Sequence, residues 1–199
     1  MEADPLVAVT RLEARLISAE GVEFYVRLRS GELVTSHLEG SVELGPMARA
    51  RIYLRGEWES ARAMLETSDD DRRIVGLIGD RQVDVQVPAE FRDILAVGFV
   101  RLGLWEVVFR LINGGRLGSG NELRRRLRLD ALSQVQPDAI RPDLSACLGH
   151  AFTIRDHGRD IATATLWIDR FDGHAQERSQ SARTGAPMMT TELYWDWRE

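Results

Sequence analysis

Between residues 22 and 55 the chain alternates apolar and polar side chains through three successive segments. Val22, Phe24, Val26 and Leu28 alternate with Glu23, Tyr25, Arg27 and Arg29. Val34, Leu38, Val42 and Leu44 oppose Thr35, His37, Glu39, Ser41 and Glu43. Ala48, Ala50, Ile52 and Leu54 oppose Arg49, Arg51, Tyr53 and Arg55. A period of two is that of a strand with one dry face. Ser30-Gly31-Glu32 and Gly45-Pro46 supply the hairpin turns. Strands joined this closely pair antiparallel. A parallel fold is excluded, because it needs a helix between each pair of strands. A strongly curved antiparallel sheet, a barrel or a sandwich remains.

Weaker strands follow at residues 61–67, 73–78 and 82–87. After a long apolar block, Leu123, Leu127, Leu129 and Ala131 interleave with Arg124, Arg126, Arg128 and Asp130, which predicts another strand with its arginines on a solvated outer face. The last strands are predicted at 148–155, 160–169, 175–183 and 188–198. Turns at His157-Gly158, Asp172-Gly173 and Thr184-Gly185 separate them, and Pro137 and Pro142 mark a loop. About 11 strands result, in two runs.

Two stretches depart from this period. Residues 5–19 place Leu6, Val9, Leu12, Leu16 and Ala19 at helical spacing, with Glu20-Gly21 as a stop. Residues 88–114, PAEFRDILAVGFVRLGLWEVVFRLING, form the longest strongly apolar segment. Pro88 suits a first helical position, Gly103 breaks the helix, and Asn113-Gly114-Gly115 ends it. Its charges, Arg92, Asp93, Arg101, Glu106 and Arg110, are scattered around the axis, so the helix needs cover on more than one side. We read it as a two-piece helical lid inserted near residues 88–113, over a half-barrel with an N-terminal helix. Only ~26 residues of lid would cover a large apolar face, so a cavity beneath it is expected. Its predicted lining is Phe91, Leu95, Phe99, Leu102, Trp105 and Phe109 from the lid, with Phe24, Val26, Ile52 and Leu54 from the sheet.

Composition sets outer bounds. A chain of 199 residues, 44% hydrophobic and 29% charged, suits a single α+β domain over residues 1–199. All 26 basic residues are arginine, yet the net charge is −5, which argues against a nucleic-acid binder. Cys147 is the only cysteine, so an intramolecular disulfide and a thiolate zinc site are excluded. No apolar run is long enough to span a membrane. The start, Met-Glu-Ala-Asp-Pro, shows no signal peptide and fits a cytosolic terminus or a mature exported one.

Chemistry-bearing motifs are few. Asp69-Asp70-Asp71 lacks the alternating spacing of a calcium loop and reads as a solvated turn. Asp169, Asp172 and His174, and Asp156-His157-Gly158-Arg159-Asp160, sit at hairpin tips. Cys147 and His150 are three apart, which in a strand turns them to opposite faces. Residues 113–120 lack the lysine of a phosphate loop. The pattern assigns no catalytic residue, no metal and no cofactor.

The closing residues carry a resemblance. Gly21-Val22-Glu23-Phe24 opens a meander, a helical lid interrupts the strands, and the end reads Ala164-Thr165-Leu166-Trp167-Ile168-Asp169, Gln176-Glu177-Arg178, then Thr191-Glu192-Leu193-Tyr194-Trp195-Asp196. This resembles the LolA/LolB-like lipoprotein-carrier superfamily of bacterial envelope proteins. The resemblance implies an unclosed, curved sheet holding an apolar cavity plugged by helices. It also implies a lipid or acyl-chain ligand and a periplasmic or envelope location, with the cytoplasm as the alternative. Two other readings stand beside it: a small isomerase- or hydratase-type enzyme, for which His150 is in phase with the dry face and His37 is not, and a structural subunit docked on a protein partner through the lid helices.

Overall fold

The computed structural model describes residues 5–18, 21–30, 33–44, 49–136, 142–182 and 188–196. The turns expected at Gly31-Glu32, Gly45-Pro46 and Thr184-Gly185, the helix stop at Glu20 and the loop residue Pro137 lie outside the described residues. The first run of strands is β1 (Gly21–Ser30), β2 (Leu33–Leu44), β3 (Ala50–Trp58), β4 (Ala61–Thr67), β5 (Arg73–Ile78) and β6 (Arg81–Gln86). The second is β7 (Leu127–Val135), β8 (Cys147–Asp156), β9 (Arg159–Asp169), β10 (Ala175–Ser181) and β11 (Met188–Asp196). All join one open antiparallel sheet in the order β6-β5-β4-β3-β2-β1-β11-β10-β9-β8-β7. The first and last strands pair at its centre, with Val26 opposite Thr191.

This order leaves β6 and β7 as the free edges. They are consecutive strands in the chain, so the segment between them has to pass from one edge to the other. It does so as α2 (Phe91–Leu102), α3 (Leu104–Ile112) and α4 (Gly120–Arg126). With the N-terminal α1 (Pro5–Ser18), these helices cover the inner face. Along β3 the residues at 50, 52 and 54 are buried and those at 51, 53 and 55 are exposed, as the period of two requires.

Three expectations are corrected. Pro88 precedes the lid: Glu90 occupies the N-cap and the helix starts at Phe91. Residues 120–126 form a helix and not the start of a strand. Ser119 accepts from the Glu122 N–H while the Glu122 carboxylate accepts from the Ser119 N–H, and this reciprocal cap starts α4. Arg124 and Arg126 therefore lie on its last turn, not on an outer sheet face. The cover is also larger than the lid alone, because Val9, Leu12 and Leu16 of α1 and Leu123 of α4 are buried in the same core.

One carboxylate ties these helices together. Glu13 of α1 accepts from Arg101 Nε of α2 at 2.7 Å and from Arg124 Nε of α4 at 3.0 Å. The Glu13 side chain is only 3% exposed. Breaking a buried ion pair from one side leaves its partner charge desolvated and unpaired. Glu13→Ala is expected to cost about 3 kcal/mol of unfolding free energy, measured by denaturant titration, whereas Glu39→Ala, in an exposed pair with Arg55, is expected to cost less than about 1 kcal/mol.

Candidate functional site

The inner face lies beneath α2, whose 12 residues include nine that are buried. Of the ten residues predicted to line a ligand space, Phe24, Val26, Ile52, Leu54, Phe91, Leu95, Phe99, Leu102 and Trp105 are all in the buried core cluster. Phe109 is 39% exposed and stands at the rim. It completes an aromatic group in which Trp58 and Trp105 are 4.7 Å apart between ring centroids, with Phe109 5.8 Å from Trp105. This group fixes α3 to the end of β3.

A void of about 20 Å³ is lined by Leu16, Val42, Leu44, Leu95, Ala96, Phe99 and Leu104. Of the predicted lining, only Leu95 and Phe99 reach it. Leu16 of α1 closes one side of it. A larger cleft of about 820 Å³ lies outside this core, between α4 and the β8–β9 turn, lined by Arg116, Arg125, Arg126, Arg128 and His157 among others. It is open and carries charge.

The inner face is not uniformly apolar. Ala63, Gly56, Leu38, Val26, Thr191, Arg178, Leu166 and His150 are successive register partners in one row across the sheet. Register partners point to the same face, so the row is apolar over β1–β4, whereas over β8–β11 it carries Thr191, Arg178 and His150, with Leu166 between the last two. Arg178 is completely buried. Its Nε donates to the Val100 carbonyl of α2 at 2.9 Å and its Nη2 to Gln180 Oε1 at 2.6 Å. Among the described residues Nη1 has no hydrogen-bond partner, and neither does Thr191 Oγ1 or His150 Nδ1. Burial lowers the Arg178 pKa to about 9, with Glu106 acting in the opposite sense. The guanidinium thus stays charged at neutral pH.

The sequence did hold a signal for this arginine. After Ala175, β10 reads Gln-Glu-Arg-Ser-Gln-Ser, yet it lies inside the sheet between β9 and β11. An interior strand without an apolar side chain has to place polar groups on the dry face.

The other candidates have local partners. Burial raises the Cys147 thiol to about 11, helped by Asp169, while burial lowers His150. Thiolate–imidazole catalysis needs a thiol that ionises readily, so the pair lacks the required activation. His37 is exposed. Asp71 pairs with Arg51, and Asp70 accepts from Ser68 Oγ within its turn. His174 Nδ1 lies 3.0 Å from Asp172, and Asp169 accepts from the Phe171 N–H. No helix among the described residues is long and apolar enough to cross a membrane.

An open half-barrel sheet with a helical cover and an arginine beneath it is therefore the class of molecule defined here. No protein-family model and no curated protein matches the sequence. Solved structures do show similarity. For the MucA/MucB complex of Pseudomonas aeruginosa the identity is 13% and the TM-score 0.43, over 96% of this chain and 57% of that chain. This chain thus spans little more than half of that one. LprF from Mycobacterium bovis is 9% identical with a TM-score of 0.49, over 96% of this chain and 92% of that one. A LolA superfamily protein from Nitrosomonas europaea is 7% identical with a TM-score of 0.35, over 97% and 92%. The similarity to these structures is one of fold alone. Values this low bring no function with them.

His150 makes the stability pH-dependent. Its folded pKa lies below its ordinary value of 6.5. Below that value the unfolded chain binds a proton that the folded chain refuses, so stability is lost as pH falls. The denaturant midpoint is expected to drop between about pH 7 and about pH 5, and His150→Leu to flatten the part of that drop due to the imidazole.

Proposed function

We propose that this protein binds an acyl chain or another hydrophobic ligand between the inner face of its sheet and the helical cover, in the cell envelope. The observation that carries this reading is the way the cover is attached. The helices pack closely on one another, Glu13 ties three of them, and the insert hangs from the two free edges of the sheet. No backbone ladder joins them to the strands they cover. Polar attachments to the sheet run through arginines: Arg178 to the Val100 carbonyl, Arg81 to the Ile112 carbonyl at 2.9 Å, Arg101 to the Leu127 carbonyl at 2.5 Å, and Arg110 and Arg126 to Asp156 at the rim.

Such a layer can lift without breaking sheet hydrogen bonds. Exposing the inner face alone would be costly. A ligand that takes the place of the helices restores the apolar contact and adds about 0.8 kcal/mol for each buried CH₂. The small void between α1, α2 and β2 is the point at which packing is already incomplete. The envelope location rests on the resemblance of the closing strands. A protein partner for the lid would have to meet α3, where Phe109 is exposed, because α2 is buried on most of its surface.

Lipid is expected to co-purify under mild conditions and to be visible by native mass spectrometry. Titration of delipidated protein with hexadecanol is expected to change tryptophan emission, because Trp58 and Trp105 stack across the joint between sheet and cover. Absence of bound lipid together with an unchanged spectrum would overturn the reading.

A further inference from the structure

The proposed acyl-chain site has a polar end. We infer that Arg178, with the start of α3, holds a compact anionic head on the ligand, such as the carboxylate of a fatty acid. This deepens the hydrophobic-ligand reading and rests on it.

Donors of two kinds lie near Gly103. Gly103 is both the last cap of α2 and the N-cap of α3, and no side chain caps α3. The N–H groups of Leu104, Trp105 and Glu106 precede the first intrahelical bond, which runs from Val107 N–H to the Gly103 carbonyl. This end of α3 carries partial positive charge. Arg178 Nη1 comes to the same place: it lies 2.9 Å from where a Cβ on Gly103 would stand. Gly103 has φ +89, so a residue with a side chain would be strained there as well as crowded. The backbone therefore approaches a charged nitrogen that has no acceptor among the described residues. Thr191, directly across the ladder from Arg178, adds a second buried polar atom without a partner, Oγ1.

A purely structural role accounts for part of this arrangement. Nε caps the C-terminal end of α2 through the Val100 carbonyl, and Nη2 is met by Gln180. Both bonds leave Nη1 unused. The carboxylate that acts on Arg178 through space, Glu106, is itself engaged by Arg110 at 2.8 Å. A desolvated cation beside a helix N-terminus is the environment in which an anion is bound most strongly.

The apolar end adjoins it. Phe99 and Leu104 line the void beneath the cover. Val100 and Gly103, which lie between them in the chain, respectively bind and abut the guanidinium. Apolar lining and guanidinium contacts thus fall within residues 99–104 at the joint of α2 and α3.

The test compares two ligands of equal chain length on the intact, delipidated protein: palmitate and hexadecanol, each measured by displacement of a neutral fluorescent acyl probe. A charge-assisted hydrogen bond predicts palmitate binding tighter by about tenfold or more. In Arg178→Met the ratio of palmitate to hexadecanol affinity is expected to fall to about one, whatever the change in hexadecanol affinity from loss of the bond to the Val100 carbonyl. Equal affinities in the native protein, or a preference that survives in Arg178→Met, would overturn the anionic head and leave the hydrophobic-ligand reading standing. Failure of both ligands to bind would overturn both. Thermal stabilisation by acetate or inorganic phosphate equal to that by palmitate would show a free-anion site and overturn the amphiphile. Should Arg178→Met fail to fold, the native comparison decides by itself.

Discussion

The constraint on which this structure depends is that the two free edges of its sheet, β6 and β7, are consecutive in the chain. An open sheet with one apolar face cannot stay uncovered. Pairing the first strand with the last puts the N- and C-terminal strands in the middle and the joint between the two meanders at both rims at once. The chain joining the rims has to cross the open face, and its residues are apolar because of where it crosses. Gly103 lets that crossing turn, so that α2 lies deep and α3 reaches the rim at Trp58.

The cover is held together by different forces from those that hold it to the sheet. Within the cover, a buried carboxylate and two arginines fix α1, α2 and α4. Between cover and sheet there is apolar packing, with side-chain hydrogen bonds and, at the rim, ion pairs from Arg110 of α3 and Arg126 of α4 to Asp156 of β8. Apolar packing is non-directional and can be exchanged for another apolar partner, whereas a buried ion pair broken from one side is strongly destabilising. The proposed movement of the cover as a layer rests on this difference. Arg178 is completely buried within the interface, a cation reaching from β10 to the joint between α2 and α3.

Much of the sheet was legible because alternation reports directly on a dry and a wet face. Strands β4 and β5 fall where their patterns place them, and the break at Gly103 is where a residue free of Cβ strain had to stand. The start of β7 was misread because Leu and Arg at 123–129 satisfy a period of two and a short helical turn alike. Ser119 and Glu122, the reciprocal cap, were the residues that decided it. The share of the cover supplied by α1 was not legible, since an amphipathic stripe shows that a helix packs and not where. Arg178 was legible only after the strand order showed β10 to be interior.

Amide hydrogen exchange across the chain, with and without a saturating neutral acyl ligand, tests the central claim that the helices cover a ligand space and yield to it as a layer. The account predicts altered protection across residues 91–112 and in α1 together, with the ladders of β1–β4 unchanged. Ligand bound with no change in the helices, or changes confined to the outer face of the sheet, would contradict it.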